Sequence, residues 1–176
     1  MQLTDFTILM VEDDPNDILL TQRAFMQASL VNPLRIVRDG EEAINYLGGR
    51  EPYSDRSRYP LPSLILLDLK LPKKSGLEVL EFLRAQPSLK QTPVIVLTSS
   101  QESSDIQRAY LLGANSYLLK PVGFDGLLEM VKAIGMYWVL LNQGPDRAVP
   151  TSRPIPGISE KGSSSPIKTL NVSDSP

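Results

Sequence analysis

Leu64-Ile65-Leu66-Leu67-Asp68 sets four large apolar residues in a row and closes them with a carboxylate. A run this short and this uniformly apolar reads as a strand buried on both faces. A strand with one wet face would alternate instead. The pattern recurs in both directions along the chain. Thr7–Val11 (TILMV) ends on Glu12-Asp13-Asp14-Pro15, and Val94–Leu97 (VIVL) ends on Thr98. Leu34–Val37 and Ser116–Leu119, the latter ending on Lys120-Pro121, bring the strands to five.

Helical patterns separate these runs. Asp14 fits a helix cap and Pro15 a first turn, ahead of Ile18, Leu19, Ala24, Phe25 and Leu30. Asp39-Gly40 introduces a helix carried by Ala43, Ile44 and Leu47. Ser75 to Ala85 carries Leu77, Leu80 and Leu83. Ser103 or Ser104 caps a fourth helix through Leu112, and a fifth runs from about Phe124 to Asn142. Gly48 to Pro62, polar and holding three prolines, reads as a loop. Five βα repeats predict an α/β domain: a doubly wound, five-stranded parallel sheet in three layers, with right-handed crossovers. After Gly144 the composition shifts to six prolines and seven serines over residues 145–176. The expectation is a domain over 1–144 and a disordered Pro/Ser-rich tail over 145–176.

The chain has 176 residues, a formal net charge of −2, no cysteine and no histidine. Thiolate sites, a Ser-His-Asp triad and His-ligated metals are therefore excluded. A metal would have to be held by oxygens. The charge balance shows no basic footprint for nucleic acid. No apolar run nears the length of a membrane span, and the first residues lack a signal-peptide pattern. A cytoplasmic protein is the expectation.

Ligands of such a sheet bind beyond the carboxyl ends of its strands. Glu12, Asp13, Asp68, Thr98 and Lys120 all fall there. Three carboxylates at close range repel and call for a cation; with hard oxygen donors, magnesium is the natural choice. Lys120 supplies a second positive charge, Thr98 a hydroxyl donor, and Asp68 a carboxylate nucleophile. That is the equipment for phosphoryl transfer, which needs positioning and neutralised oxygens.

From about Phe6 to Asn142 the chain resembles the response-regulator receiver family, with its flavodoxin-like (βα)5 fold. The resemblance rests on Thr7–Pro15, on Leu64–Pro72 with Gly76, on Val94–Ser99 and on Gly113–Pro121, in order and at matching strand ends. It implies that Asp68 is the phosphoacceptor and that Glu12, Asp13, Asp68 and the Lys70 backbone carbonyl surround Mg2+. It implies Thr98 and Lys120 as catalytic groups, Thr98 and Tyr117 as a switch pair, and a cis Lys120–Pro121 bond. Lys70 and Ser100 fall at positions that tune dephosphorylation; Lys70 would either contact the phosphate or crowd the attacking water. The partner would be a sensor histidine kinase. The long loop before the third strand and the segment Tyr137–Asn142 resemble single-domain regulators of cyanobacterial phytochromes.

Such a protein is not an enzyme with an external turnover, although it would catalyse its own phosphorylation and dephosphorylation. No output domain fits in the last 32 residues. The competing reading is a pseudo-receiver, an interaction module that is never phosphorylated; the complete acidic, hydroxyl and lysine set argues against it. A haloacid-type phosphatase would need an aspartate where Lys70 stands, and a flavin binder a phosphate loop after the first strand. In the last helix, Phe124, Leu127, Leu128, Val131, Ile134 and Leu141 suffice to cover the sheet, yet Ile134–Leu141 is apolar nearly all round. A homodimer through a face with Tyr137, Trp138 and Leu140 is the expectation, the alternative being that the tail folds back over it.

Overall fold

The computed structural model describes residues 6–142. The tail expected over 145–176 and the first five residues lie outside them. The elements alternate as β1 (Ile8–Val11), α1 (Pro15–Gln27), β2 (Leu34–Val37), α2 (Gly40–Gly48), β3 (Leu64–Leu67), α3 (Gly76–Ala85), β4 (Val94–Thr98), α4 (Ser103–Leu111), β5 (Ser116–Leu119) and α5 (Phe124–Ile134). A π-helical segment, Gly135–Leu141, continues α5.

All strand pairings are parallel, in the order β2-β1-β3-β4-β5. The three inner strands are buried along their whole length, whereas β2 and β5 at the edges are partly open. That difference follows from the helices covering the middle of the sheet on both faces. Leu9, Val11, Ile65, Leu67, Val94 and Val96 point into one core, with Ala43, Tyr46 and Leu47 of α2, Leu80 and Leu83 of α3, and Ala109 of α4. Ile8, Leu64, Leu66 and Ile95 point to the other, with Ala24 and Phe25 of α1 and Leu127, Leu128, Val131 and Ile134 of α5. The period-two alternation of a strand thus feeds two separate cores.

Helix starts follow local chemistry. The Asp14 carboxylate caps α1 by accepting from the amides of Asn16 and Asp17, with Pro15 in the first turn. Ser75 and Glu78 form a reciprocal capping box at α3. The start of α4 differs from expectation. Its cap position is Glu102, which makes no side-chain cap bond, and Ser103 is already helical.

Three further expectations are corrected. Leu19 of α1 is exposed, because Ile18, Thr21, Ala24 and Phe25 already define the stripe that meets the sheet. The last helix is not a continuous α-helix. Its final turn widens to i→i+5 bonding, and the Asn142 amide donates to the Tyr137 carbonyl at 2.7 Å. The wider turn breaks the 3.6-residue stripe, so Leu141 faces solvent instead of the core. Lys120–Pro121 is trans; among the described residues the cis bond is Glu51–Pro52. Either isomer is accessible before proline, where the trans preference is only ~0.5–1 kcal/mol.

The loop from Gly49 to Ser63 has no strand or helix but is firmly built. The Arg56 guanidinium donates to the Tyr46 and Leu47 carbonyls, both at 2.8 Å, and to the Tyr59 carbonyl at 3.2 Å. It therefore serves the orphan carbonyls at the end of α2. Tyr46, Tyr53 and Tyr59 pack on one another, Tyr59 edge to face with the other two and Tyr46 tilted at 49° to Tyr53. Among the described residues, no helix is long and apolar enough to cross a membrane.

Candidate functional site

Register places the acidic residues. Val11 of β1 pairs with Leu67 of β3, so the next residues, Glu12 and Asp68, emerge abreast at the carboxyl edge. This is the point where the strand order reverses, the expected ligand crevice of such a sheet. The Asp68 amide donates to the Val11 carbonyl at 3.0 Å and fixes the two chain ends together. Thr98 of β4 pairs with Leu119 of β5, which brings Lys120 alongside.

Glu12, Asp13 and Asp68 each offer a carboxylate oxygen, and these lie within 4.8 Å of one another. Glu12 and Asp68 are buried and Asp13 is exposed. Lys120 answers the charge. Its Nζ lies 2.7 Å from Glu12 Oε2, from Asp68 Oδ2 and from Asp17 Oδ2. Burial works against the lysine charge, but the hydrogen bonds it donates to Asp17, Asp68 and Glu12 outweigh it and hold the ammonium above its usual range. For Glu12 the balance runs the other way. Burial raises its carboxyl above the ordinary glutamate value, and the bond and charge of Lys120 only partly offset this. The Glu12 Oε1 oxygen also accepts from the Asp14 amide at 3.1 Å. The all-oxygen donor set, three carboxylates with one open to solvent, suits a hard divalent ion.

The loop after Asp68 is held close. The Lys70 amide donates to Asp68 Oδ1 at 3.1 Å, while its side chain is exposed. Gly76 passes so near that a Cβ there would sit 2.1 Å from the Asp68 carbonyl oxygen. Lys73, in the left-handed region at φ 63°, pairs with Asp39 at the start of α2 at 2.7 Å. The Gly40 amide donates to the Pro72 carbonyl at 3.3 Å. The loop is thus tied to α2 on its far side.

Thr98 is fully buried at the end of β4. The Ser100 amide donates to its Oγ1 at 3.3 Å. Ser100 is buried as well, and its hydroxyl donates to Asp105 Oδ2 in the first turn of α4 at 2.6 Å. The Tyr117 hydroxyl donates to the Ser100 carbonyl at 3.0 Å while its ring packs on the first core. At the opposite side of α5, Tyr137 and Leu140 are exposed, and Trp138 is half-buried against the second core. Tyr137 and Trp138 line an open groove of about 480 Å³ with Ile95, Ser116 and Leu118.

The sequence-predicted residues Glu12, Asp13, Asp68 and Lys120 therefore come together, with Thr98 on the adjacent strand end. Sequence reasoning missed Asp17 and Asp105. For Asp17 a signal existed: it lies one helical turn past the cap Asp14, on the end of α1 that meets β1.

The site and the fold match known proteins. The response regulator receiver domain family matches residues 8–132. The probable methanogenesis regulatory protein FilR2 of Methanothrix harundinacea is 39% identical over 148 residues, 81% of this chain and 90% of that protein. Response regulator Rcp1 of Synechocystis sp. is 40% identical over 132 residues, 75% of this chain and 88% of that protein. The crystal structure of the phosphorylated cyanobacterial phytochrome response regulator RcpA superposes with TM-score 0.75 at 38% identity, covering 80% of this chain and 98% of that one. The Mn2+-bound form of Rcp1 does so with TM-score 0.72 at 38% identity, covering 80% of this chain and 99% of that one. With a receiver's topology, its acidic cluster and its lysine all in place, this chain belongs to the response regulator receiver family.

Proposed function

We propose that the protein is a response regulator that takes a phosphoryl group onto Asp68 from the phosphohistidine of a sensor kinase, and that this kinase is a phytochrome. The observation that carries the first part is Lys120 Nζ at 2.7 Å from Asp68 Oδ2, inside a carboxylate cluster suited to a divalent ion. The phytochrome assignment rests on the likeness to Rcp1 and RcpA.

An Asp68 carboxylate oxygen attacks phosphorus, the P–N bond breaks, and its electron pair stays on the imidazole nitrogen. An acyl phosphate results; water later attacks phosphorus, releasing inorganic phosphate and the Asp68 carboxylate. Asp13, Asp68 and the Lys70 carbonyl would hold Mg2+, with Glu12 beside them, and the bound ion would neutralise phosphoryl oxygens. Lys120 holds a further oxygen through its ammonium. Thr98 donates its hydroxyl to the phosphoryl group and Tyr117 follows, as a switch pair. Lys70 and Ser100, two residues beyond Asp68 and Thr98, tune the lifetime of the phosphate. The exposed face with Tyr137, Trp138 and Leu140 closes a homodimer.

Transfer of radiolabel from a phosphorylated phytochrome kinase to the wild type, and its loss in Asp68→Asn, is the expected result. A wild type that takes no label from any histidine kinase makes the chain a pseudo-receiver instead. Sizing with and without beryllofluoride tests the dimer; a monomer under both conditions refutes it.

A further inference from the structure

Lys120 is committed three times over. An ammonium has three protons, and three carboxylates stand at hydrogen-bond distance from this one. A phosphoryl group on Asp68 takes over that residue's share of the ammonium and carries more negative charge than the carboxylate it replaces, so it draws Lys120 away from its other two partners. The two differ sharply in how they would bear the loss. The Glu12 side chain is 3% exposed, so a lost partner would leave a buried charge bare. The Asp17 side chain is 38% exposed, and water can replace the ammonium there.

The surroundings restrict the lysine further. Beside Asp17 and Lys120 lies a cavity of about 50 Å³ lined by Met10, Leu20, Leu97 and Leu127 together with Glu12 and Thr21. The carboxylates, not the apolar part of that space, are what the ammonium can pair with. Its accessible movement is along the carboxylates, from Asp17 toward Asp68.

We propose that Asp17 is a positioning residue that holds the third proton of Lys120 in the resting protein and competes with the incoming phosphoryl group for it. This rests on the reading of Asp68 as phosphoacceptor. Asp17 sets how tightly a phosphoryl oxygen is held, without touching it. Any carboxylate nearby would also repel an anion through its field, so the field and the contact must be separated. Asp14 provides the control. It carries the same charge one turn away at the cap of α1, and Lys120 does not contact it; asparagine preserves its capping.

The experiment is beryllofluoride binding by calorimetry at saturating magnesium, on the full chain as wild type, Asp17→Asn and Asp14→Asn. Asp17→Asn is expected to bind about threefold to fivefold more tightly than wild type, the strength of a partly exposed ion pair. Asp14→Asn is expected to change affinity less than twofold. Unchanged or weaker binding in Asp17→Asn overturns the proposal and leaves the Asp68 reading intact. An equal gain in Asp14→Asn overturns it too, because the effect is then a field and not a contact. Absence of binding in the wild type overturns the Asp68 reading and this proposal with it.

Discussion

Asp13→Asn should make the metal-free protein more stable and the magnesium-treated protein less so. The Asp13 carboxylate lies within 4.8 Å of both Glu12 and Asp68, and the three carboxylates paired with Lys120 do not include it. Two unit charges at that separation repel by ~1 kcal/mol in a water-like dielectric and by ~3.5 kcal/mol at an effective dielectric of 20. Because Asp13 is exposed, the lower figure applies, and salt reduces it further. Two such pairs give about 1–2 kcal/mol of relief on neutralising the side chain. For a domain of this size that raises the melting midpoint by about 2–8 °C. Magnesium at ten times its dissociation constant stabilises the wild type by ~1.4 kcal/mol through mass action, and the variant, short of a ligand, gains little of this. The assay is thermal melting by circular dichroism, each protein in EDTA and in magnesium. Asp13→Asn is expected to melt above the wild type in EDTA and to show a much smaller rise with magnesium. A variant that melts lower in EDTA, or that gains as much from magnesium as the wild type, would refute the charge-crowding argument.

Other perturbations follow from the same geometry. Arg56→Ala removes three bonds to loop and helix carbonyls and should cost about 2–3 kcal/mol, read as a shift of the urea midpoint at constant slope. Gly76→Ala would ordinarily favour a helix by ~1 kcal/mol, yet the new Cβ would meet the Asp68 carbonyl oxygen, so both the melting midpoint and the extent of Asp68 phosphorylation should fall. Glu78 accepts from the Ser75 amide, pairs with Lys74 and accepts the Ser75 hydroxyl, which hold its carboxyl down at about 2. Its contribution to stability is present above the unfolded value of about 4.5 and disappears as pH falls toward about 2, which a carboxyl NMR titration of Glu78 would register as a depressed midpoint.

Sequence showed most of the sheet because its strands are buried on both faces and need no partner-specific reading. Leu64–Leu67 can only be a covered strand, and Asp68 at its end then has a fixed address. The cap of α4 was harder, since Ser103, Ser104 and Glu102 offer near-equal starting points and tertiary bonds choose among them. The π-helical turn left no mark in Gly135–Leu141, because widening a turn changes which side chains share a face without changing the residues themselves. Asp17 was hidden for a related reason. Its contact with Lys120 bridges distant parts of the chain, so a pattern of strand ends does not include it, although α1 brings it to the same edge. The loop around Arg56 read as polar; its order comes from a guanidinium finding three carbonyls in space.

A short chain of hydrogen bonds joins the site to α4 and β5, and its direction matters. Ser100 donates its amide to Thr98 Oγ1, donates its hydroxyl to Asp105 of α4, and accepts from the Tyr117 hydroxyl of β5. Thr98 and Ser100 are both buried, so water cannot stand in for a lost partner there. If the Thr98 hydroxyl turns toward a phosphoryl oxygen, the Ser100 amide loses its acceptor. The backbone of Ser100 must then move or find another. Either adjustment reaches the start of α4 through Asp105 and the outer face of β5 through Tyr117. Beyond Thr98, no side chain on that route needs to touch the phosphate. Such a chain also explains why Ser100 is buried here, although its place two residues beyond Thr98 would fit the rim of the site. Its hydroxyl is occupied in holding α4, whereas the Lys70 side chain is exposed.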